Sequence, residues 1–299
     1  MKRWLALAAG TAAAAAVLRQ KRGPNVSDYF QNRTCVVTGG GSGIGLEIVT
    51  QLLSHGARVL AVDISPERLA ELRARWPNLA TLELDLTAAD APARLIAAAQ
   101  RELGSLQTLF NNAGYGVVGP FLSNTDAQIQ RMVDLNYTAH VRMARHVVPV
   151  MIAAGGGDLS FTVSLVAWVS APTLVVYSGT KGGLKNFVYA LGREVSGAGI
   201  RVSGLHPNIV RTNLFTSDVF DQAVIKYGPT EAVVALLRGV AAGQRDIFVN
   251  FEDRVLQRLE QIAPGLIDRY LANRPDAQAI LQQGLTSEGV SGAASGPPD

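Results

Sequence analysis

Cysteine and charge are both scarce in this sequence of 299 residues. The single cysteine, Cys35, excludes an internal disulfide and any cysteine-rich metal site, and no other pattern indicates a bound metal. Because Cys35 lies in an apolar run, we expect it to be a small buried core residue. Only 17% of the residues are charged and 48% are hydrophobic. This balance is typical of one large α/β domain with a sizeable core rather than of two full domains.

Positive charge is also scarce once the first residues are set aside. Of 27 lysines and arginines, five precede residue 25, where no acid occurs: Lys2, Arg3, Arg19, Lys21 and Arg22. The remaining 22 basic residues face 24 acidic ones, so the net charge of +3 belongs to the N-terminus. The body has no basic patch interleaved with aromatic residues, and we expect no nucleic-acid partner.

Residues 1–24 form a hydrophobic signal or anchor segment. Fifteen uncharged residues, WLALAAGTAAAAAVL, lie between KR and RQKR, a run shorter than the roughly 20 residues that a spanning helix needs. A short anchor, a cleaved signal and an alanine-rich helix all fit. Because basic residues beside a membrane segment tend to stay on the cytoplasmic side, we favour an uncleaved, membrane-associated N-terminus facing the cytoplasm. A soluble cytoplasmic protein is the alternative.

A glycine-rich turn follows the first apolar strand. The run TCVVTGGGSGIGLEIVTQLLSHGARVLAVDIS reads as strand, turn, amphipathic helix and second strand. Glycines permit a tight turn, and the helix N-terminus suits a pyrophosphate, so this unit predicts a dinucleotide site. The expected contacts in the turn are Gly39, Gly40, Gly41, Ser42, Gly43, Ile44 and Gly45. Asp63 ends the second strand, where it would accept hydrogen bonds from both ribose hydroxyls and repel a 2′-phosphate. With no Arg or Lys in the turn or directly after Asp63, NAD is favoured over NADP.

Strands continue to alternate with helices, which indicates a parallel sheet. The run TLELDL ends at Asp85 and Leu86, a helix spans about 89–103, and LQTLF leads into NNAG with Asn112, Ala113 and Gly114. Ligands bind beyond the carboxyl ends of such strands, so these five residues are further candidates for cofactor binding.

The segment YSGTK places Tyr177 and Lys181 on one helix face, one turn apart. A cation beside a phenol favours the phenolate and lowers its pKa, so the pair is a candidate general acid/base. Upstream, a helix predicted over about 126–148 carries Asn136, and the strand DLSFTVS ends at Ser164.

With these motifs in order, residues 31 to 250 resemble the short-chain dehydrogenase/reductase family. TGGGSGIG, NNAG and YSGTK match the family's patterns, and Ser164 lies at the family's distance before Tyr177. The resemblance implies a doubly wound Rossmann fold with a mostly parallel seven-stranded sheet in the order 3-2-1-4-5-6-7. It also implies a role for each catalytic residue. Tyr177 would be the general acid/base, Lys181 would lower its pKa and hold the nicotinamide ribose, Ser164 would orient the substrate oxygen, and Asn136 would hold a water of the proton relay.

One position departs from the family's pattern. After the sixth strand the family usually has PG, but this chain has HPNIVRT, with Asn208 at the glycine position. Asparagine tolerates a positive φ better than most residues, so we expect the turn to survive. The predicted nicotinamide-side contacts are Pro207, Val210 and Thr212.

The chain beyond Thr212 has three parts. In the resemblance, the segment after Thr212 lies over the substrate, and its side chains (Leu214, Phe215, Val219, Phe220, Ile225 and Tyr227) suit either an apolar substrate or core packing. A helix over about 230–242 and the strand DIFVN complete the catalytic domain at residues 30–250. Residues 251–283 form a helical extension that would cap the site, mediate dimerisation or touch a membrane, and 284–299 form a disordered tail.

The combined expectation is an oxidoreductase that transfers a hydride between NAD(H) and an alcohol/carbonyl pair of a lipophilic substrate, acting as a homo-oligomer. A non-catalytic NAD-binding sensor or scaffold with the same fold is the alternative.

Overall fold

Seven parallel strands form one sheet in the computed structural model, which describes residues 24–212, 214 and 226–273. The strands are β1 (Thr34–Thr38), β2 (Arg58–Asp63), β3 (Ala80–Glu83), β4 (Thr108–Asn111), β5 (Gly157–Thr162), β6 (Ile200–Leu205) and β7 (Asp246–Ile247). Their order across the sheet is β3-β2-β1-β4-β5-β6-β7, with every neighbouring pair parallel. The predicted fold and strand order are confirmed. Since the chain reverses its direction of winding between β1 and β4, their carboxyl ends open a crevice there.

Helices pack on both faces of the sheet. They are α1 (Val26–Phe30), α2 (Gly43–Ser54), α3 (Pro66–Arg75), α4 (Ala91–Leu103), α5 (Asp126–Val133), α6 (Ala139–Ala153), α7 (Val175–Glu194), α8 (Pro229–Ala241), α9 (Phe251–Ile262) and α10 (Pro264–Ala272). Successive side chains of a strand point to opposite faces, so β1 contributes to two cores. Val36 packs in the core beneath α4, α6 and α7, whereas Cys35 and Val37 pack beneath α2 and α8. Cys35 is a fully buried free thiol, as predicted.

Two strands are shorter than predicted. Strand β3 ends at Glu83 rather than at Leu86, because the Asp85 carboxylate accepts hydrogen bonds from the Thr87 amide at 2.8 Å and hydroxyl at 2.7 Å and so turns the chain. Strand β7 ends after two residues because Asn250 caps α9 from close by, accepting a hydrogen bond from the Asp253 amide at 2.8 Å.

The long central helix has an irregular middle. Thr125 and Gln128 form a capping box at the start of α5, and a π-helical turn over Asp134–Thr138 joins α5 to α6, which ends at Ala153 rather than near residue 148. Such turns insert one extra residue into a helix, and this one carries Asn136.

The extension after the sheet forms α9 and α10, separated at Ala263 next to Pro264. Several of its apolar residues are exposed, Phe251 at 77% and Ile262 at 79%, with Val255 and Leu259 near 40%, whereas Ile267 of α10 is buried. None of the helices in the described part of the chain is long and apolar enough to cross a membrane. The predicted anchor, most of the substrate segment and the predicted tail lie outside the described residues, and the domain boundaries stay predictions.

Candidate active site

The turn between β1 and α2 lies at the crevice. Gly39 adopts φ +64°, a left-handed conformation that favours glycine, and a Cβ on Gly45 would lie 1.9 Å from the Gly39 carbonyl oxygen. Ser42 caps α2 without a side-chain hydrogen bond, so no capping side chain occupies the first amides of the helix. A bare backbone turn with open amides at a helix N-terminus fits the pyrophosphate of a dinucleotide.

Asn112 fastens this turn to the neighbouring strands. Its Nδ2 donates to the Thr38 carbonyl at 3.1 Å, while its Oδ1 accepts a hydrogen bond from the Thr162 hydroxyl at 3.0 Å. The Thr38 hydroxyl in turn accepts from the Asn112 amide at 2.9 Å. The carboxyl ends of β1, β4 and β5 are therefore held together by neutral polar groups rather than by a ligand.

Asp63 is buried and shapes the turn from the end of β2. Its two carboxylate oxygens accept hydrogen bonds from the Gly41 amide at 2.9 Å and the Ser65 amide at 3.1 Å. The sequence-based premise that no cation lies beside Asp63 is wrong, because α3 brings Arg68 Nη1 within 3.9 Å of it. Arg68 is five residues on in sequence, and only the helical turn places it there.

A cleft of about 480 Å³ runs along the carboxyl ends of the strands. It is lined by thirteen of the eighteen predicted cofactor contacts: Gly39, Ser42, Gly43, Ile44, Asp63, Asp85, Leu86, Asn112, Ala113, Gly114, Tyr177, Lys181 and Thr212. Five predicted contacts do not line it: Gly40, Gly41, Gly45, Pro207 and Val210. The first three act through the backbone. The Gly40 amide donates to the Val62 carbonyl of β2, and the Gly41 amide donates to the Asp63 carboxylate at the end of β2. Gly45 permits the close approach to Gly39.

Tyr177 and Lys181 lie on α7, and both are buried. Lys181 Nζ donates to the Thr162 carbonyl at 2.8 Å and lies 5.7 Å from the centre of the Tyr177 ring. Ser164, just past β5, shares a hydrogen bond with the Tyr177 hydroxyl. The structure thus brings the predicted serine, tyrosine and lysine together at one end of the cleft.

Burial dominates the electrostatics of this pair. It raises the pKa of Tyr177 well above its usual range, which the hydrogen bond with Ser164 only partly opposes, and it lowers the pKa of Lys181 from 10.5 to about 7. Burial therefore outweighs any effect of Lys181 on the pKa of Tyr177 in the protein without a cofactor, and the expectation that Lys181 lowers this pKa stays a prediction. The reason is geometric: the ammonium points to the Thr162 carbonyl, and both groups lose their hydration.

Asn136 is fully buried and bonds to protein atoms. Its Oδ1 accepts from the Tyr115 amide at 2.9 Å, and its Nδ2 donates to the Tyr115 carbonyl at 2.8 Å and to the Thr180 hydroxyl at 3.3 Å. The side chain therefore ties the loop after β4 to α7, close to Lys181. Both Nδ2 hydrogens are engaged, so a water that Asn136 holds would donate to the second lone pair of Oδ1 or bind the main chain.

His140, one turn after Asn136, supports the same loop. Burial, followed by the charge of Lys181, lowers the pKa of His140 to about 3, so the ring is neutral. It is 3.0 Å from the Ala113 carbonyl, which it can meet only as an N–H donor. Sequence analysis missed His140 because a histidine inside a helix carries no signal of its own.

Asn208 works differently from the expectation. It is not among the described non-glycine residues with positive φ, so the turn does not use its tolerance for that conformation. Instead its Nδ2 donates to the Asp253 carboxylate at 2.9 Å, and its amide donates to the Tyr227 hydroxyl, which donates to Asp253 at 3.1 Å. Asp253 is only 3% exposed. Asn208, which stands where the family usually has glycine, thus connects the loop that carries Thr212 to α9 through hydrogen bonds.

Other residues of the site had no predicted role. Thr38, the first residue of TGGGSGIG, and Thr162 and Tyr115 contribute through bonds between distant segments. Arg68 and Arg131 reach the cleft from helix surfaces. Among the described residues, no group of three His, Cys, Asp or Glu side chains is placed to hold a metal ion.

Comparison with known proteins points to a single family. A family model described as short chain dehydrogenase matches residues 33–223. The 1-deoxy-11-beta-hydroxypentalenate dehydrogenase of Streptomyces exfoliatus is 34% identical over 62% of this chain and 70% of that protein. The 2,3-dihydroxy-2,3-dihydro-p-cumate dehydrogenase of Pseudomonas putida is 33% identical over 62% of this chain and 74% of its own. A short chain dehydrogenase/reductase from Burkholderia phymatum, solved in complex with NAD, shares the fold with a TM-score of 0.72 at 21% identity, covering 79% of this chain and 95% of that one.

Proposed function

The chain belongs to the short-chain dehydrogenase family, and on that premise we propose that it transfers a hydride between NAD(H) and an alcohol/carbonyl pair. The observation that carries the proposal is the hydrogen bond between Tyr177 and Ser164 beside a buried Lys181, at the end of a cleft that begins at a glycine turn. Proton transfer by a positioned side chain is what alcohol oxidation requires in addition to a hydride acceptor.

Each catalytic residue has one task in this proposal. In the oxidation direction, Tyr177 takes the proton of the substrate hydroxyl while the hydride leaves the same carbon, which gives a carbonyl. Ser164 donates a hydrogen bond to the substrate oxygen, and Asn136 holds the loop after β4 in place. Lys181 stays charged when ribose hydroxyls and Tyr177 phenolate compensate its lost hydration.

The cofactor supplies the hydride acceptor, and its oxidised form adds a positive charge. We expect that charge to lower the pKa of Tyr177 from the raised value set by burial. The site would then become a competent base only in the complex, which links proton transfer to cofactor binding.

Replacing the phenol tests this function directly. Tyr177→Phe keeps the ring that packs in the apolar cluster with Met132 and Leu174 but removes the acid/base, so turnover should fall about 10³-fold or more while NADH still binds. The control is Tyr270→Phe, at a tyrosine of α10 that is 57% exposed. A substrate panel followed by NADH absorbance gives the rates.

The same variant separates an enzyme from the alternative, a non-catalytic sensor or scaffold that binds NAD. A sensor would keep its cofactor affinity and its partner response without the phenol. Equal turnover of wild type and Tyr177→Phe on a validated substrate would contradict the catalytic assignment.

We propose NAD rather than NADP as the preferred cofactor, because the buried Asp63 carboxylate would face a 2′-phosphate. Arg68 weakens this preference, since it lies 3.9 Å from Asp63 and is 44% exposed, where it can turn to a phosphate. Titrations should show tighter NADH than NADPH binding in the wild type. Arg68→Gln should weaken NADPH about three- to tenfold and leave NADH nearly unchanged, since a partly exposed charge pair is screened by solvent. Tighter NADPH binding by the wild type would overturn the preference.

A lipophilic substrate, a homo-oligomer and attachment to a membrane surface complete the proposal. Leu214 lines the cleft next to the catalytic residues, and several apolar residues of α9 and α10 are exposed, among them Phe251, Ile262 and Leu266. The N-terminal segment adds five cations beside an apolar run. Cell fractionation of the full chain should place it with membranes, and removal of residues 1–24 should release it. Equal solubility of the two would contradict the attachment.

A further inference from the structure

A second cleft lies on the far side of α7, between that helix, the β7 edge and α9. Its volume is about 920 Å³, within the range of small-molecule sites, and it shares no lining residue with the first cleft. Neither the catalytic roles nor the cofactor contacts use it.

Cations dominate this second cleft. Four arginines line it (Arg193, Arg245, Arg254 and Arg258), against Asp246 as the one acid among the described lining residues. Asp246 is already engaged: it accepts a hydrogen bond from Tyr189 at 2.7 Å, faces His206 at 3.1 Å and pairs with Arg245 at 3.1 Å. Burial by itself raises the pKa of Asp246, but these hydrogen bonds outweigh it and hold the pKa at about 2. The carboxylate is thus ionised, and it offsets only one of the four positive charges.

Three of the four guanidinium groups lie against aromatic faces, and of these three only Arg245 also pairs with a carboxylate of the described residues, that of Asp246. Arg245 lies 3.9 Å from the centre of the Tyr189 ring, and Arg193 lies 5.9 Å from it. On the opposite wall Arg254 lies 5.6 Å from the Phe248 ring. Stacking on a ring leaves the N–H groups in the guanidinium plane free to donate, and a planar fork suits phosphate oxygens.

A glutamine also lines the cleft. Gln257 on α9 is only 4% exposed, and no hydrogen bond to another described residue engages its side chain. Its amide is therefore available to a molecule bound in the cleft. Gln257 lies one turn from Arg254 and next to Arg258, which places all three on one segment of the same helix.

We propose that the cleft between α7, β7 and α9 binds an organic phosphate that carries a planar ring. A dianion matches the excess of arginines better than a monocarboxylate does, because three uncompensated positive charges remain. The volume exceeds what a phosphate needs, and Trp168, Tyr189 and Phe248 also line the cleft, so a planar group has aromatic side chains to contact beside the arginines.

Phenyl phosphate is the probe, titrated calorimetrically into the full protein with its dinucleotide site saturated. We expect binding, with affinity reduced about tenfold by Arg254→Gln and by Arg258→Gln, as for loss of a hydrogen bond to a charged group. Gln257→Leu, which keeps the volume, should reduce it about threefold. Arg269→Gln on α10, outside the cleft, is the matched control and should change nothing. Unchanged dinucleotide affinity and melting temperature in all four variants show that they fold.

Three results would overturn the proposal. Equal phenyl phosphate affinity in the Arg254→Gln, Arg258→Gln and Arg269→Gln variants would show that Arg254 and Arg258 do not bind the probe. Displacement of the bound dinucleotide by phenyl phosphate would place the probe in the first cleft. Inorganic phosphate binding as tightly as phenyl phosphate would show that the ring makes no contact. None of these results bears on Tyr177, so the proposal stands or falls separately from the catalytic function.

Discussion

Buried charged groups at the two ends of the same sheet differ in their partners. At the amino end, Asp158 is buried at the start of β5 and pairs with Arg33 Nη2 at 2.5 Å and with Arg201 at 2.7 Å. The Tyr29 hydroxyl donates to the same carboxylate, and Thr108 lies beside it. These partners come from segments around four strands, so one carboxylate joins the beginnings of β1, β4, β5 and β6.

At the carboxyl end, two buried charged groups have neutral partners. Lys181 donates to the Thr162 carbonyl, and Asp253 accepts hydrogen bonds from Asn208 and Tyr227. Neither group forms an ion pair with another residue of the described part of the chain. Burial accordingly lowers the pKa of Lys181 and raises the pKa of Asp253. Asp158 at the amino end is thus balanced by opposite charges, whereas Lys181 and Asp253 are held by neutral groups, and we expect a bound cofactor to compensate Lys181.

The largest expected effect comes from Lys181→Met, which removes the unpaired buried cation. Turnover should fall about 10³-fold or more, because the ammonium no longer stabilises the phenolate. The cofactor-free protein should become more stable at pH 7, because the cost of burying the charge disappears. The difference between the folded and unfolded pKa values of Lys181 corresponds to roughly a few kcal/mol of unfolding free energy.

The buried Lys181 also makes the unfolding free energy depend on pH. The pKa of Lys181 is about 7 in the fold and 10.5 when unfolded, so between these values the unfolded chain binds more protons and stability rises with pH. Urea unfolding between pH 7 and 9 should show this rise in the wild type and its absence in Lys181→Met. An equal pH slope in both proteins would contradict the assignment.

The next effect tests the amino end. Asp158→Asn keeps the shape of the side chain but leaves Arg33 and Arg201 without their carboxylate, which should cost about 2–4 kcal/mol of unfolding free energy, discounted because both arginines are partly exposed. Turnover should stay within about twofold, since the change lies at the opposite end of β5 from Ser164.

Glu102→Gln is the control for that experiment. It breaks the Arg101–Glu102 pair, which is solvent-exposed, and should cost less than about 0.5 kcal/mol. If Asp158→Asn were no more destabilising than Glu102→Gln, the contrast between the two ends would be wrong.

The smallest effect tests the loop fastened to α9. Asn208→Gly restores the residue that the family usually has but removes a hydrogen bond to the buried Asp253 carboxylate, a loss of about 1–2 kcal/mol. Because the loop carries Thr212 at the cofactor cleft, the cofactor KM should rise about three- to tenfold with kcat nearly unchanged.

Asp253→Asn, which removes the charge of the acceptor, should act in the same direction, and the neighbouring exposed Glu252→Gln should have no effect. Steady-state kinetics measure the split between KM and kcat. A fall in kcat at constant KM would mean that the loop serves the chemistry rather than cofactor binding.

Prediction from sequence worked best where the signal is local. The glycine turn, NNAG and YSGTK each lie within a few residues, and their neighbouring strands alternate clearly enough to give the sheet order through the family resemblance. It failed where a boundary depends on a single side-chain bond, as when the Asp85 carboxylate ends β3 early. It also failed for Arg68, because this residue lies five positions after Asp63 in sequence and comes close to it only through the first turn of α3.

By itself the sequence determined the parallel α/β fold, the dinucleotide turn and the four candidate catalytic positions. Backbone conformation and helical spacing dictate the glycine turn and the pairing of Tyr177 with Lys181 within short segments, whereas Ser164 and Asn136 were found through the family resemblance. Only the tertiary structure decided that Lys181 is an unpaired buried amine, that Asn208 is bonded to Asp253 and that four arginines share a second cleft. These features depend on which distant residues share a buried space, because desolvation and hydrogen bonding act through spatial proximity and not through position along the chain.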